Sequence, residues 1–161
     1  MEAKVTWESD LSFVGVADSG FPIKMSSPSG PEAGAGPVEL TAMALAACTA
    51  MDVISILMKK HERVTEFHVL VHAERATSYP KVISSAELEY VVTGHEVKEA
   101  SLRRAIELSV KQYCPVYAML SKAFPIELRY TIVEGERGRD GRVSKRGRCT
   151  QPAAEPPTET P

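Results

Sequence analysis

A thiolate is the strongest neutral-pH nucleophile a protein side chain offers and the one most readily oxidised, and two of the three cysteines in this chain occupy settings that bear on that chemistry. Cys48 lies in the middle of a long apolar run, Val38 to Met58. Cys114 falls at a Tyr113-Cys114-Pro115 break between two shorter helix-like segments. Neither has a CxxC partner, so the two read either as separate buried hydrophobes or as a redox couple that the fold brings together.

The two settings differ in how they treat a sulfur. Pro115 suits the first position of a helix, which makes Cys114 its N-cap, where free backbone N–H groups and the helix dipole favour negative charge. Lys111 supplies a nearby cation. Cys48 has only Ala46, Ala47, Ala50 and Met51 around it in sequence, and mid-helix positions offer no free N–H groups. Asp52 lies one helical turn beyond Cys48 on the same face, and an unpaired carboxylate there raises a thiol pKa. Cys48 therefore reacts only if Asp52 finds a partner, and on residue chemistry alone Cys114 is the better activated of the two.

Other polar groupings carry weaker signals. His68 and His72, with Glu66 and Glu74, share one face of a strand-like segment and are read as its wet face, with no metal and no cofactor expected. The loop Ser29 to Gly36 precedes a helix but lacks the lysine and hydroxyl of a phosphate-binding loop, and is read as a flexible flap. Arg137, Arg139, Arg142, Lys145, Arg146 and Arg148 form a basic stretch with no aromatic residue among them. It is read as solvated, without a nucleic-acid partner.

The elements that position the cysteines follow from patterning. With 161 residues, 43% of them hydrophobic, and a net charge of -2, the chain can bury a core and has no general pull toward polyanions. Val5, Trp7, Phe13, Val14, Val16, Phe21 and Ile23, interrupted by Ser9-Asp10 and Asp18-Ser19-Gly20, give a meander of short strands. A helix starts at Pro37 behind Gly36 and runs to about His61. Its Glu39, Asp52 and Ser55, and alanine where leucine would be expected, argue for a central helix of a soluble protein and against a membrane span. Two strands follow, Val64 to Ala76 and Val82 to Val92, each alternating with period two. Lys98 to Tyr113 places Leu102, Ala105, Ile106, Ser109 and Val110 at helical spacing. Val116 to Ala123 is a second helix, and Ile126 to Val133 a last strand. Residues 1–134 form the domain, and 135–161, nearly devoid of apolar residues and rich in charge and proline, are expected to be disordered. No secretory leader is visible behind Met1, which points to the cytoplasm.

The run Gly36-Pro37-Val38-Glu39-Leu40 leading to Ala46-Ala47-Cys48-Thr49-Ala50-Met51-Asp52-Val53, joined later by Leu108-Ser109-Val110-Lys111-Gln112-Tyr113-Cys114-Pro115-Val116, resembles the OsmC/Ohr family of thiol peroxidases. It is most similar to the YhfA-like branch, in which an Asp follows the first cysteine by four residues and a Tyr-Cys carries the second. The resemblance implies an α+β fold in which two chains interlock as a homodimer, with curved antiparallel sheets packed around two long central helices. It also implies a function: Cys48 is oxidised by an organic hydroperoxide to a sulfenic acid, and Cys114 condenses with it to a disulfide that a dithiol reductant opens. Asp52 and Ser55 then become polar contacts between the paired helices.

This chain departs from the peroxidase pattern in its helpers. The family's thiolate-holding arginine comes from the N-terminal region, whereas the first arginine here is Arg63; Lys4 and Lys24 are the available cations, and a lysine lacks the bidentate fork. The family's helper glutamate corresponds to Val38, and the adjacent Glu39 falls about 180° around an ideal helix from Cys48. Two functions follow from these residues. One is a hydroperoxide reductase of the oxidative-stress response; the other is a non-catalytic dimer of the same fold that binds a small hydrophobic ligand or senses thiol redox state.

Overall fold

In the computed structural model, residues 1–27, 34–136 and 141–150 are described. Residues 29–33 of the expected flap and Arg137 and Arg139 of the basic stretch lie outside them. The chain divides into two compact units, Met1–Met43 and Ala44–Pro161.

The first unit is built on a three-stranded antiparallel meander of β1 (Ala3–Ser9), β2 (Ser12–Ala17) and β3 (Pro22–Ser26). The turns fall where the sequence places them, and Gly20 supplies the positive φ (76°) that the β2–β3 turn requires. Register puts Val5, Trp7, Phe13, Ile23 and Met25 on one face. Much of that face is open, with Trp7 63% and Ile23 52% exposed.

The helix α1 (Pro37–Lys59) starts at the proline predicted for its first position. Glu39 Oε2 accepts the Gly36 N–H at 2.7 Å, the reciprocal half of a capping box. Within the second unit α1 buries Leu45, Thr49, Val53 and Leu57, a stripe at i, i+4 spacing. By length and composition alone α1 could cross a bilayer, yet this stripe belongs to the core of the second unit, with Leu88, Tyr90, Leu128 and Ile132. Its other side is exposed and still apolar: Ala44, Ala47, Met51 and Met58.

The sheet of the second unit has the order β4-β5-β6-β7. β4 (Arg63–Arg75) and β5 (Ile83–His95) form a long antiparallel pair. The alternation read from sequence holds on both strands: Ala86, Leu88, Tyr90 and Val92 are buried, while Glu66, Glu74, His68 and His72 stay off the core. β5 and β6 (Ile126–Glu134) are parallel, which departs from an all-antiparallel sheet. The reason is the helical crossover between them, α2 (Glu99–Leu108), a π-helical turn (Ser109–Tyr113) and α3 (Pro115–Leu120), which carries the chain from the end of β5 back to the end of the sheet where β5 begins. Leu102, Ala105, Ile106, Ser109 and Val110 are all buried, as their spacing predicts.

The expectation of disorder from residue 135 fails for Arg142–Cys149, which form β7, antiparallel to β6. A strand this polar holds through its backbone ladder and side-chain ion pairs instead of apolar burial: Arg148 meets Glu127 of β6 at 3.0 Å and Lys145 meets Glu99 of α2 at 3.3 Å. Gly147 sits opposite Tyr130, where a β-carbon would collide with the phenol ring. The ring extends over it to donate its hydroxyl to Glu99 at 2.5 Å.

Candidate active site

Cys48 is presented from mid-α1 and Cys114 from the junction of the π-turn with α3. Sixty-six residues apart in sequence, their sulfurs stand 2.8 Å apart, with Cys114 Sγ donating to Cys48 Sγ. Both are free thiols. Cys48 is half-buried and Cys114 is 3% exposed. Sulfurs at this separation form a disulfide after a small side-chain adjustment, since the backbones already hold them face to face.

Local structure explains how Cys114 gets there. The Cys114 N–H bonds the Ser109 carbonyl at 2.9 Å, the i→i−5 contact of a π-turn, and Pro115 prevents the preceding helix from continuing. Cys114 is the N-cap of α3, as its sequence context predicts, and its Sγ accepts the Tyr117 N–H at 3.3 Å. The inference drawn from that cap is corrected, however. Burial pushes the Cys114 thiol well above its ordinary value, and the neighbouring Cys48 sulfur pushes it further; the Tyr117 N–H acts the other way without offsetting them. Cys114 is the thiol that keeps its proton, and donates it toward Cys48.

Asp52 has the partner that reactivity at Cys48 demands. Its Oδ2 accepts the Ser109 hydroxyl at 2.9 Å, within the same chain. Ser109 is fully buried. The sequence signal for this contact is a serine in register with the otherwise apolar face that α2 continues into the π-turn. Ser55 is exposed.

The remaining candidates stand as follows. Lys111, expected to lend charge to Cys114, bonds Glu107 at 2.8 Å on the surface, an i, i+4 pair. Glu39 caps α1 through Gly36. Lys24 is exposed on β3, opposite Val14, in the first unit. His72 pairs with Glu74 at 3.0 Å, and among the described residues no group of three His, Cys, Asp or Glu is placed to hold a metal ion.

Comparison with known proteins places this geometry in a lineage. Residues 30–129 match the family model described as OsmC-like protein. The chain belongs to the OsmC family. Within that family it is 38% identical over 133 residues to Protein YhfA of Escherichia coli, a match covering 83% of this chain and 98% of YhfA. The crystal structure of the OsmC like protein from Mycoplasma pneumoniae superposes with a TM-score of 0.70 at 19% identity, covering 81% of this chain and 95% of that one. The organic hydroperoxide resistance protein OsmC of Legionella pneumophila has a TM-score of 0.60 at 13% identity, over 81% and 94% of the two chains. At such identities the structural likeness speaks for the OsmC fold alone. The matched residues take in both cysteines, while β1–β3 and β7 lie outside them.

Proposed function

We propose that this protein is a thiol-dependent hydroperoxide reductase in which Cys48 is the sulfur oxidised and Cys114 the sulfur that resolves it. The observation that carries the reading is the 2.8 Å approach of two free thiols from separate elements. In the first step the Cys48 thiolate attacks the outer oxygen of a hydroperoxide; the O–O bond breaks, the alcohol leaves with a proton, and Cys48 becomes a sulfenic acid. In the second, Cys114 attacks the Cys48 sulfur, the S–O bond breaks, and the Cys114 proton leaves with the hydroxyl as water. A dithiol then reduces the disulfide and is itself oxidised.

The proton held on Cys114 suits both steps. As a donor to Cys48 it supports negative sulfur before the peroxide arrives, and it is in place to leave with the hydroxyl afterwards. The substrate class follows family membership, which includes proteins named for organic hydroperoxide resistance. A reducing cytoplasm supplies the dithiol on this reading. A homodimer completes it, because the exposed apolar side of α1 and the exposed apolar face of the β1–β3 sheet each call for a covering surface.

One observation favours a second reading, a dimer that senses redox state or binds a small apolar ligand without turnover. The chain has no arginine before Arg63, and Glu39 is engaged at the start of α1. The two readings separate in one assay. Purified protein given dithiothreitol and cumene or t-butyl hydroperoxide should consume the peroxide, and Cys48→Ser should abolish consumption. Equal rates in wild type and variant would exclude the reductase.

A further inference from the structure

We infer that Asp52 and Ser109 form a clamp that sets the distance between the two sulfurs, which makes them positioning residues for formation of the Cys48–Cys114 disulfide. The inference rests on the reading of the two cysteines as a redox couple and adds to it the means by which this chain holds them together.

The geometry has two rungs. Asp52 lies one turn beyond Cys48 on α1, so both side chains leave the helix on the same side. Ser109 opens the π-turn and Cys114 follows its last residue. The first rung is Cys114 Sγ to Cys48 Sγ at 2.8 Å; the second is Ser109 Oγ to Asp52 Oδ2 at 2.9 Å. The two rungs are joined on the far side as well, because the Ser109 carbonyl accepts the Cys114 N–H at 2.9 Å. Ser109 is thus tied to α1 by its side chain and to Cys114 by its backbone. A shift of Ser109 relative to α1 carries the Cys114 sulfur with it.

The chemistry fits a hinge that must be held. A π-turn is a rare, single-turn departure from α-helix, and Pro115 removes the donor that would extend the helix past it. Ser109 is fully buried, so its hydroxyl cannot replace Asp52 with bulk water. The acceptor oxygen of Asp52 supplies what the turn lacks. An asparagine at 52 keeps an acceptor oxygen at the same reach, whereas an alanine does not.

The test measures how strongly the fold favours the disulfide, by equilibrating the protein with mixtures of reduced and oxidised glutathione in a Cys149→Ser background. The readout is the effective concentration of one thiol at the other, which a loss of global stability does not move while the protein stays folded by circular dichroism. Asp52→Ala and Ser109→Ala should each lower it by about tenfold or more, and Asp52→Asn should lie nearer to wild type than to Asp52→Ala. Either alanine variant losing less than about tenfold would overturn the clamp. So would an asparagine variant nearer to the alanine one, since the carboxylate charge and not its reach would then be the operative property. No peroxide enters this measurement, so failure of the reductase reading and failure of the clamp are seen separately.

Discussion

Cys114 keeps its proton at a position where an N-cap ordinarily releases one. Its context in sequence, Tyr113-Cys114-Pro115, identifies the cap and the N–H that points at its sulfur, and both are present. What the sequence does not carry is that the cap is buried and faces a second sulfur, and both push the thiol up. The same limit applies to Asp52: helical periodicity aligns it with Cys48, but its partner comes from an element 57 residues away. Because the folded-state pKa of Cys114 is raised, its contribution to stability is fully present below the ordinary thiol value of 9.0 and is lost as pH climbs from there. Urea unfolding of the reduced protein at about pH 7.5 and about pH 10 should therefore show a smaller alkaline loss of stability in Cys114→Ser than in wild type. Equal losses would mean that the thiol is not held in its neutral form.

At the scale of elements, α1 shows why the strand and helix assignments were legible and the crossover only partly so. Pro37 behind Gly36 marks the start of α1 and a long apolar run marks its extent, and β4 and β5 alternate cleanly, so local pattern recovers all three. The segment after Leu108 does not follow a single period. Its buried Ser109 and Val110 match an α-helix, yet the turn closes over five residues because Pro115 and the packing of Cys114 on α1 leave no α-helical solution. Two substitutions on α1 probe separate contributions. Leu57→Ala should cost about 2–5 kcal/mol, as expected for a fully buried leucine, while Glu39→Ala should cost about 0.5–2 kcal/mol through the lost cap. Chemical denaturation of both variants checks the order, and a Glu39→Ala loss as large as that of Leu57→Ala would assign Glu39 more than capping.

For the whole molecule, the surfaces left open matter as much as the core. Met51 and Met58 are 70% and 67% exposed on a helix whose opposite side is fully buried. A flexible, apolar methionine surface of this kind is suited to another protein surface. If α1 packs against its counterpart in a second copy, Met51→Glu should convert dimer to monomer in sedimentation velocity while leaving the far-UV circular dichroism intact; an unchanged dimer would place the interface elsewhere. The extent of the domain was less legible than its fold. Reading 135 onward as disordered followed from charge and low apolar content, and β7 shows how an edge strand escapes that rule: its pairing with β6 satisfies backbone groups that composition does not report.

β7 also brings Cys149 inward beside Leu128, where burial pushes its thiol up to about 11. That placement makes the third cysteine a gauge of fraying at the sheet edge. While β7 is docked, the sulfur is half-buried and largely un-ionised at neutral pH; when the strand peels away, it reverts to an ordinary, reactive thiol. In a Cys48→Ser, Cys114→Ser chain, the rate of modification of Cys149 by a disulfide reagent should match the opening rate or population reported by hydrogen exchange of the β6–β7 amides. A Cys149 that reacts much faster than those amides exchange would mean that its thiol is reached without the strand letting go.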